Sequence, residues 1–183
     1  MNISLFIVVL GGRSLKGNIE IHDVRWVVGN KIEDTFPELR NQWLGMKKGL
    51  HIDSYKCIKY VDVYKIVLSE SKKNISICPI TDLSLWFVNL GGYNPKKMYE
   101  EHEFNLIVAK KAIEAKKKAK RSWDSNLKNK HNDDSSAINY LEQVDDLQPV
   151  KIKNWEINLI PDPKERNEKL IPDWYGYRRI DNF

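Results

Sequence analysis

The sequence predicts an α+β protein built as a tandem duplication of a ββαββ unit, giving two small sheets, each covered on one face by its helix and related by a pseudo-two-fold axis. Three observations carry this. A shift of 80 residues lays Leu5-Phe6-Ile7-Val8-Val9-Leu10-Gly11-Gly12 over Leu85-Trp86-Phe87-Val88-Asn89-Leu90-Gly91-Gly92. The same shift, without a gap, puts Glu20 on Glu100, His22 on His102, Asp23 on Glu103, Trp43 on Trp123, His51 on His131 and Asp53 on Asp133, so all four histidines fall into equivalent pairs. Each copy also passes through the same order of strand-like and helix-like hydrophobic patterns.

Residues 5 to 10 and 85 to 90 are apolar runs of strand length, each ending in a Gly pair whose expected use is a sharp turn with positive φ. Val24 to Val28 and Phe104 to Val108 form the second strand of each copy. Ile32, Phe36, Leu39 and Trp43 recur at helical spacing, and Thr35-Phe36-Pro37-Glu38 fits a capping box with Pro in the first turn. In the second copy Ala112, Ala115, Ala119 and Trp123 occupy that face. Two strands then close each copy: Lys56 to Val61 with Tyr64 to Leu68, and Val150 to Ile152 with Trp155 to Ile160.

The expected boundaries are residues 1–70 for the first copy, 71–82 for a connection, 83–160 for the second copy with an insertion near 135–147, and 161–183 for a tail rich in Pro and aromatic residues. In that tail Pro161, Pro163 and Pro172 argue against regular structure, while Trp174, Tyr175, Tyr177 and Phe183 suit a strap that packs back on the body or joins a second copy as a homo-oligomer.

The 183 residues are 42% hydrophobic and 30% charged, the balance of a globular chain, and no run reaches the ~20 apolar residues of a membrane span. Met1 to Leu10 has neither a basic residue ahead of its apolar run nor a small-residue cleavage site, so it reads as a strand and not as a leader. Cys57 and Cys78 lack the spacing of a zinc site or a disulfide framework, which points to a reducing cytoplasm. The net charge of +5 is concentrated: nine Lys or Arg lie between Lys110 and Lys130, against Glu114 and Asp124 alone.

The phrases Gly17-Asn18-Ile19-Glu20-Ile21-His22-Asp23, Leu50-His51-Ile52-Asp53-Ser54 and Phe87-Val88-Asn89-Leu90-Gly91-Gly92-Tyr93 together resemble the bacterial family catalogued as domain of unknown function 1543. The resemblance covers about residues 3 to 160. It implies a domain that occurs in one or two copies, and it implies no activity.

The candidate ligand-binding residues are therefore those the copies share: Gly11, Gly12, Glu20, His22, Asp23, His51 and Asp53, with Gly91, Gly92, Glu100, His102, Glu103, His131 and Asp133. His-X-Asp on an extended segment puts imidazole and carboxylate on one side, which suits binding or proton transfer. The spacing matches no named metal motif, and no metal or cofactor is assigned. The competing reading is structural, with each carboxylate accepting backbone N–H groups in its own turn.

Lys116, Lys117, Lys120 and Arg121 form a second candidate, a basic helix face suited to phosphate backbones of nucleic acid. The expected function is a cytoplasmic, non-enzymatic binding or interaction module of unknown ligand. The alternative is a phosphoester hydrolase or metal-binding protein using His22, His51, His102 and His131, although the triplets His51-Ile52-Asp53 and His131-Asn132-Asp133 lack the hydroxyl of two-histidine phosphoesterases.

Overall fold

The computed structural model describes residues 3–71, 82–93, 96–122 and 147–182. The chain is mixed α+β, with mostly antiparallel strands in three small sheets and two short helices. It divides into two compact units, Met1–Ile77 with Lys151–Phe183, and Cys78–Val150. Among the described residues no helix is long and apolar enough to cross a membrane.

In the first unit β1 (Ser4–Gly12) is the inner strand of an antiparallel sheet, between β2 (Ile21–Gly29) and β3 (His51–Ile58). The β1 residues alternate between faces. Phe6, Val8 and Leu10 pack with Phe36, Leu39 and Ile52 in the main core, and Leu10, Leu39 and Ile52 are wholly buried. Phe36 and Leu39 come from α1 (Phe36–Gln42), which continues a 3-10 turn at Ile32–Thr35.

The capping box expected at Thr35 does not form. Its hydroxyl donates back to the Ile32 carbonyl at 2.6 Å, and the orphan N–H groups of Asn30 and Lys31 are taken by the Asp34 carboxylate at 3.2 Å each. Pro37 remains in the first helical turn, as its missing donor allows.

The two-sheet plan is corrected by β4 (Tyr60–Val61), β5 (Tyr64–Glu70) and β9 (Trp155–Pro161), which form a third sheet of order β4-β5-β9. The closing strands of the two sequence repeats pair with each other, Tyr64 opposite Pro161 and Leu68 opposite Ile157, instead of each extending its own sheet. A period-two pattern specifies a strand and its faces; it does not name the partner.

The tail is also corrected. After Pro172 it forms a regular strand, β10 (Trp174–Arg179), antiparallel to β3 on the edge of the first sheet. Proline excludes regular pairing only at its own residue, and all three tail prolines precede this strand. Ile180, just beyond it, is fully buried in the main core, and its N–H reaches the Leu50 carbonyl at 2.9 Å.

In the second unit β6 (Ser84–Tyr93) lies between β7 (Glu100–Ala109) and the short β8 (Leu147–Pro149). Helix α2 (Ala112–Ser122) buries Ala115 and Ala119 against Val88, Leu90 and Ile107. Both β2 and β7 begin earlier than the apolar pattern suggested, because polar residues at their starts continue the ladder.

Candidate functional site

The Gly pair at the end of β1 makes no turn. Gly11 and Gly12 are paired strand residues, opposite His22 and Ile21, and the glycines with positive φ are Gly49 and Gly176. What the pair supplies is close approach on both faces of the strand. A Cβ on Gly12 would stand 2.9 Å from Cζ2 of Trp43 on the core face. One on Gly11 would overlap the His51 Nε2 and stand 2.9 Å from Asp53 Oδ2 on the opposite face. Real Cβ atoms do not come so near, so the glycines are there for the side chains that cross them.

On the Gly11 face the register sets His22 of β2 and His51 of β3 directly either side of Gly11, with Arg179 of β10 next in the row. A register shift between Val9 and Leu10 leaves Asp53 as the extra residue of β3, and such a bulge re-aims a side chain. The Asp53 carboxylate then meets both imidazoles: Oδ1 is 3.2 Å from His51 Nε2 and Oδ2 is 3.2 Å from His22 Nε2. Glu20, just before β2, brings Oε2 to 3.9 Å from His51 Nε2. The His51 side chain is 1% exposed, whereas His22 is 56%, Glu20 38% and Asp53 30% exposed. A buried imidazole thus forms the floor of a cluster that is open to solvent above it.

The far nitrogen of His51 is fixed from the other end of the chain. Nδ1 lies 2.8 Å from the Gly49 carbonyl, which accepts only, so Nδ1 carries a proton. Gly49 itself, at φ +81°, donates its N–H to Asp181 Oδ2 at 2.8 Å, and Arg179 grips the same carboxylate through Nε at 3.1 Å and Nη2 at 2.7 Å. Tyr177 stacks on the His51 ring with centroids 4.0 Å apart. A continuous chain of polar contacts therefore runs Arg179, Asp181, Gly49, His51, Asp53, His22. Of these, Gly49 and Asp181 were not among the residues singled out from the sequence, and Tyr177 stood there only as an aromatic of the tail.

Two measurable consequences follow locally. The Arg179 guanidinium, then the Gly49 N–H, hold the Asp181 carboxyl down from 3.8 to about 2. A depressed carboxyl stabilises the fold above its unfolded value and loses that contribution as it protonates in the folded state. Unfolding midpoints should therefore decline as pH falls from about 4 toward about 2, and Asp181→Asn should flatten that part of the profile relative to wild type. Gly49→Ala forces a side chain into the left-handed region and should lower stability by about 1–2 kcal/mol, measured by urea unfolding.

Other candidates separate from this cluster. Asp23 pairs with Arg25 and accepts the Val24 N–H at 2.8 Å. In the second unit Gly91 lies opposite His102, and the Glu100 carboxylate covers the place of a Gly91 Cβ. His102 Nε2 is 3.9 Å from Glu100 Oε2, while its Nδ1 is 3.2 Å from Asn89 Nδ2. Gly92 is opposite Glu101, and Glu103 is exposed. His131 and Asp133, the side chain of Lys120 and most of the expected insertion lie outside the described residues. On α2, Lys117 and Arg121 are exposed and Lys116 is half-buried, while Lys118 donates to the Val108 carbonyl at 2.7 Å. Among the described residues no three or more His, Cys, Asp or Glu side chains are grouped to hold a metal ion.

Comparison with known proteins places these residues in context. The family model described as Domain of Unknown Function (DUF1543) matches twice, at residues 17–68 and 97–147. The fold is similar to that in the crystal structure of a protein Il1583 from Idiomarina loihiensis, with a TM-score of 0.73 and 32% identity over 98% of this chain and 99% of that one. No curated protein matches the chain. The first match begins at Gly17 and contains Glu20, His22, His51 and Asp53.

Proposed function

The chain belongs to the DUF1543 family, and from that premise we propose that it is a non-enzymatic binding module whose ligand is held at the Glu20, His22, His51 and Asp53 cluster. The observation that carries the reading is the glycine at position 11: a strand gives up a side chain so that a buried imidazole and a carboxylate can meet under an exposed histidine. A purely structural role would need neither the exposure of His22 nor that of Glu20. We read the chain as a tandem duplication of a ββαββ unit, supported by the double family match and by the shared Gly-opposite-His register of Gly11 with His22 and Gly91 with His102.

The test is a thermal-shift panel of inorganic phosphate, acetate, n-butylammonium, adenosine and Zn²⁺ against wild type and Asp53→Asn. A shift that requires Asp53 supports the module. The reading fails if every shift persists in the variant, or if none occurs. It is replaced by the hydrolase reading if wild type turns over p-nitrophenyl phosphate and His51→Gln does not.

A second contact is favoured by the exposed Lys117 and Arg121 on α2, with Lys116 beside them. These suit a nucleic-acid backbone, and binding to random-sequence duplex at low salt, falling steeply as salt rises, is its expected signature. Absence of binding at low salt, or binding that Lys117→Ala with Arg121→Ala leaves unchanged, removes it.

A further inference from the structure

Five carboxylates of the first unit are paired with cations. Asp23 has Arg25, Asp162 has Arg166, Asp181 has Arg179, Glu33 has Arg178 and Asp173 has Lys56. Asp53 and Glu20 instead meet imidazoles: among the described residues no Lys or Arg lies in ion-pair range of either, and their close neighbours are His51 and, for Asp53, His22 as well. This occurs in a chain whose net charge is +5, so cationic side chains are in ample supply.

The buried member sharpens the deficit. With the His51 proton on Nδ1 for the Gly49 carbonyl, the neutral ring turns its Nε2 lone pair toward oxygen atoms of both Asp53 and Glu20. Acceptor then faces acceptor at a group that is 1% exposed, where an unpaired lone pair is costly. A second proton on His51 would supply one positive charge against two carboxylates. His22 Nε2 can donate to Asp53 Oδ2, and the side left open at Glu20 and His22 admits a further donor for the second carboxylate.

We infer that this cluster takes a protonated primary amine, whose ammonium group donates to Asp53 and Glu20 over the His51 floor. An ammonium presents three donors at one point and needs no coordination sphere, which suits carboxylates held 3 to 4 Å from an imidazole nitrogen better than a metal ion does, since no metal-holding group of three side chains forms here. The inference rests on the binding reading above and gives it a ligand class. The amine has two possible sources, a free small amine or a lysine side chain presented by a protein.

The experiment follows the imidazole ¹H–¹⁵N signals of the full chain at pH 7.5. Aliquots of n-butylammonium, Nα-acetyl-lysine-N-methylamide, sodium chloride at matched ionic strength, phosphate and Zn²⁺ are added in separate runs. Both amines should move the His22 and His51 signals saturably, and Asp53→Asn and Glu20→Gln should each weaken that response at least about tenfold. Tighter binding of the lysine derivative assigns the source to a protein side chain; tighter binding of butylammonium assigns it to a free amine. Glu20→Gln, at an exposed position before β2, keeps the test readable if Asp53→Asn does not fold. Amine responses no larger than those to sodium chloride, or unchanged in both variants, overturn the inference. If phosphate or Zn²⁺ alone gives the Asp53-dependent response, the ligand class is wrong and the binding site stands. If no probe responds, both fall.

Discussion

Deleting residues 171–183 is expected to cost about 5 kcal/mol or more of stability, enough to unfold the first unit or leave it marginal. The segment carries Ile180, which has no exposed surface and sits among Leu10, Leu39, Leu50 and Ile52 in the main core. Truncating a side chain so placed costs about 2–5 kcal/mol by itself. Trp174 stacks on Tyr55 with ring centroids 6.0 Å apart, worth about another 0.5–1.5 kcal/mol. Loss of β10 also strips β3 of its outer partner and the Arg40 guanidinium of the Ile180 carbonyl it reaches at 2.9 Å. Urea unfolding of the truncated chain checks this, with Ile180→Ala expected to recover roughly half the effect. Tyr175→Ser, at a position 81% exposed, should change stability by no more than about 0.5 kcal/mol. A truncated chain that unfolds at the wild-type midpoint would show that the tail is an ornament on a self-sufficient core.

That dependence explains which parts of the fold could be read from the sequence. The strands β1, β2, β5, β6, β7 and β9 each carry enough β-branched and apolar residues at strand spacing to be seen locally, and α2 was legible from Ala115 and Ala119. Partner choice was not local. The segments around Tyr64 and Trp155 were correctly seen as strands, yet nothing in their pattern says that they pair with each other across some ninety residues of chain. The tail failed for a different reason. Its prolines suppress the strand signal before Trp174, and Gly176, at φ +148°, breaks the alternation where the ladder slips between Tyr175 and Arg178.

The candidate site divides along the same line. Repetition of Glu-X-His and His-X-Asp at a fixed shift was enough to nominate Glu20, His22, His51 and Asp53, and the strands bring these four together. Asp23 was nominated by the same repetition and stands apart with Arg25, because the next residue along a strand points to the other face. Asp181 gave no signal at all, since its role depends on a hydrogen bond to Gly49, 132 residues away in sequence. The Gly pair was found and misassigned. Glycine in a strand signals either special φ or close approach, and only the structure distinguishes the two.

The distinction can be measured at Gly11. Gly11→Ala is expected to destabilise by about 1–3 kcal/mol, because its methyl would overlap a ring that is already confined by Tyr177 on one side and the Gly49 carbonyl at its far end. The His51 ring must leave its place, and with it goes the contact to Asp53, so the mutation should also shift the His22 imidazole signals although residue 22 is unchanged. Combining it with His51→Ala separates the causes. If Gly11 is required for crossing side chains, removing the imidazole frees most of the space, and the added cost of Gly11→Ala in that background should fall to within about 0.5 kcal/mol, a coupling of 0.5 kcal/mol or more. If the position instead needed the backbone freedom of glycine, the full cost would persist in the double variant. Gly11 is regular paired strand between His22 and His51, so any residue could adopt its backbone, and the coupling is the expected result.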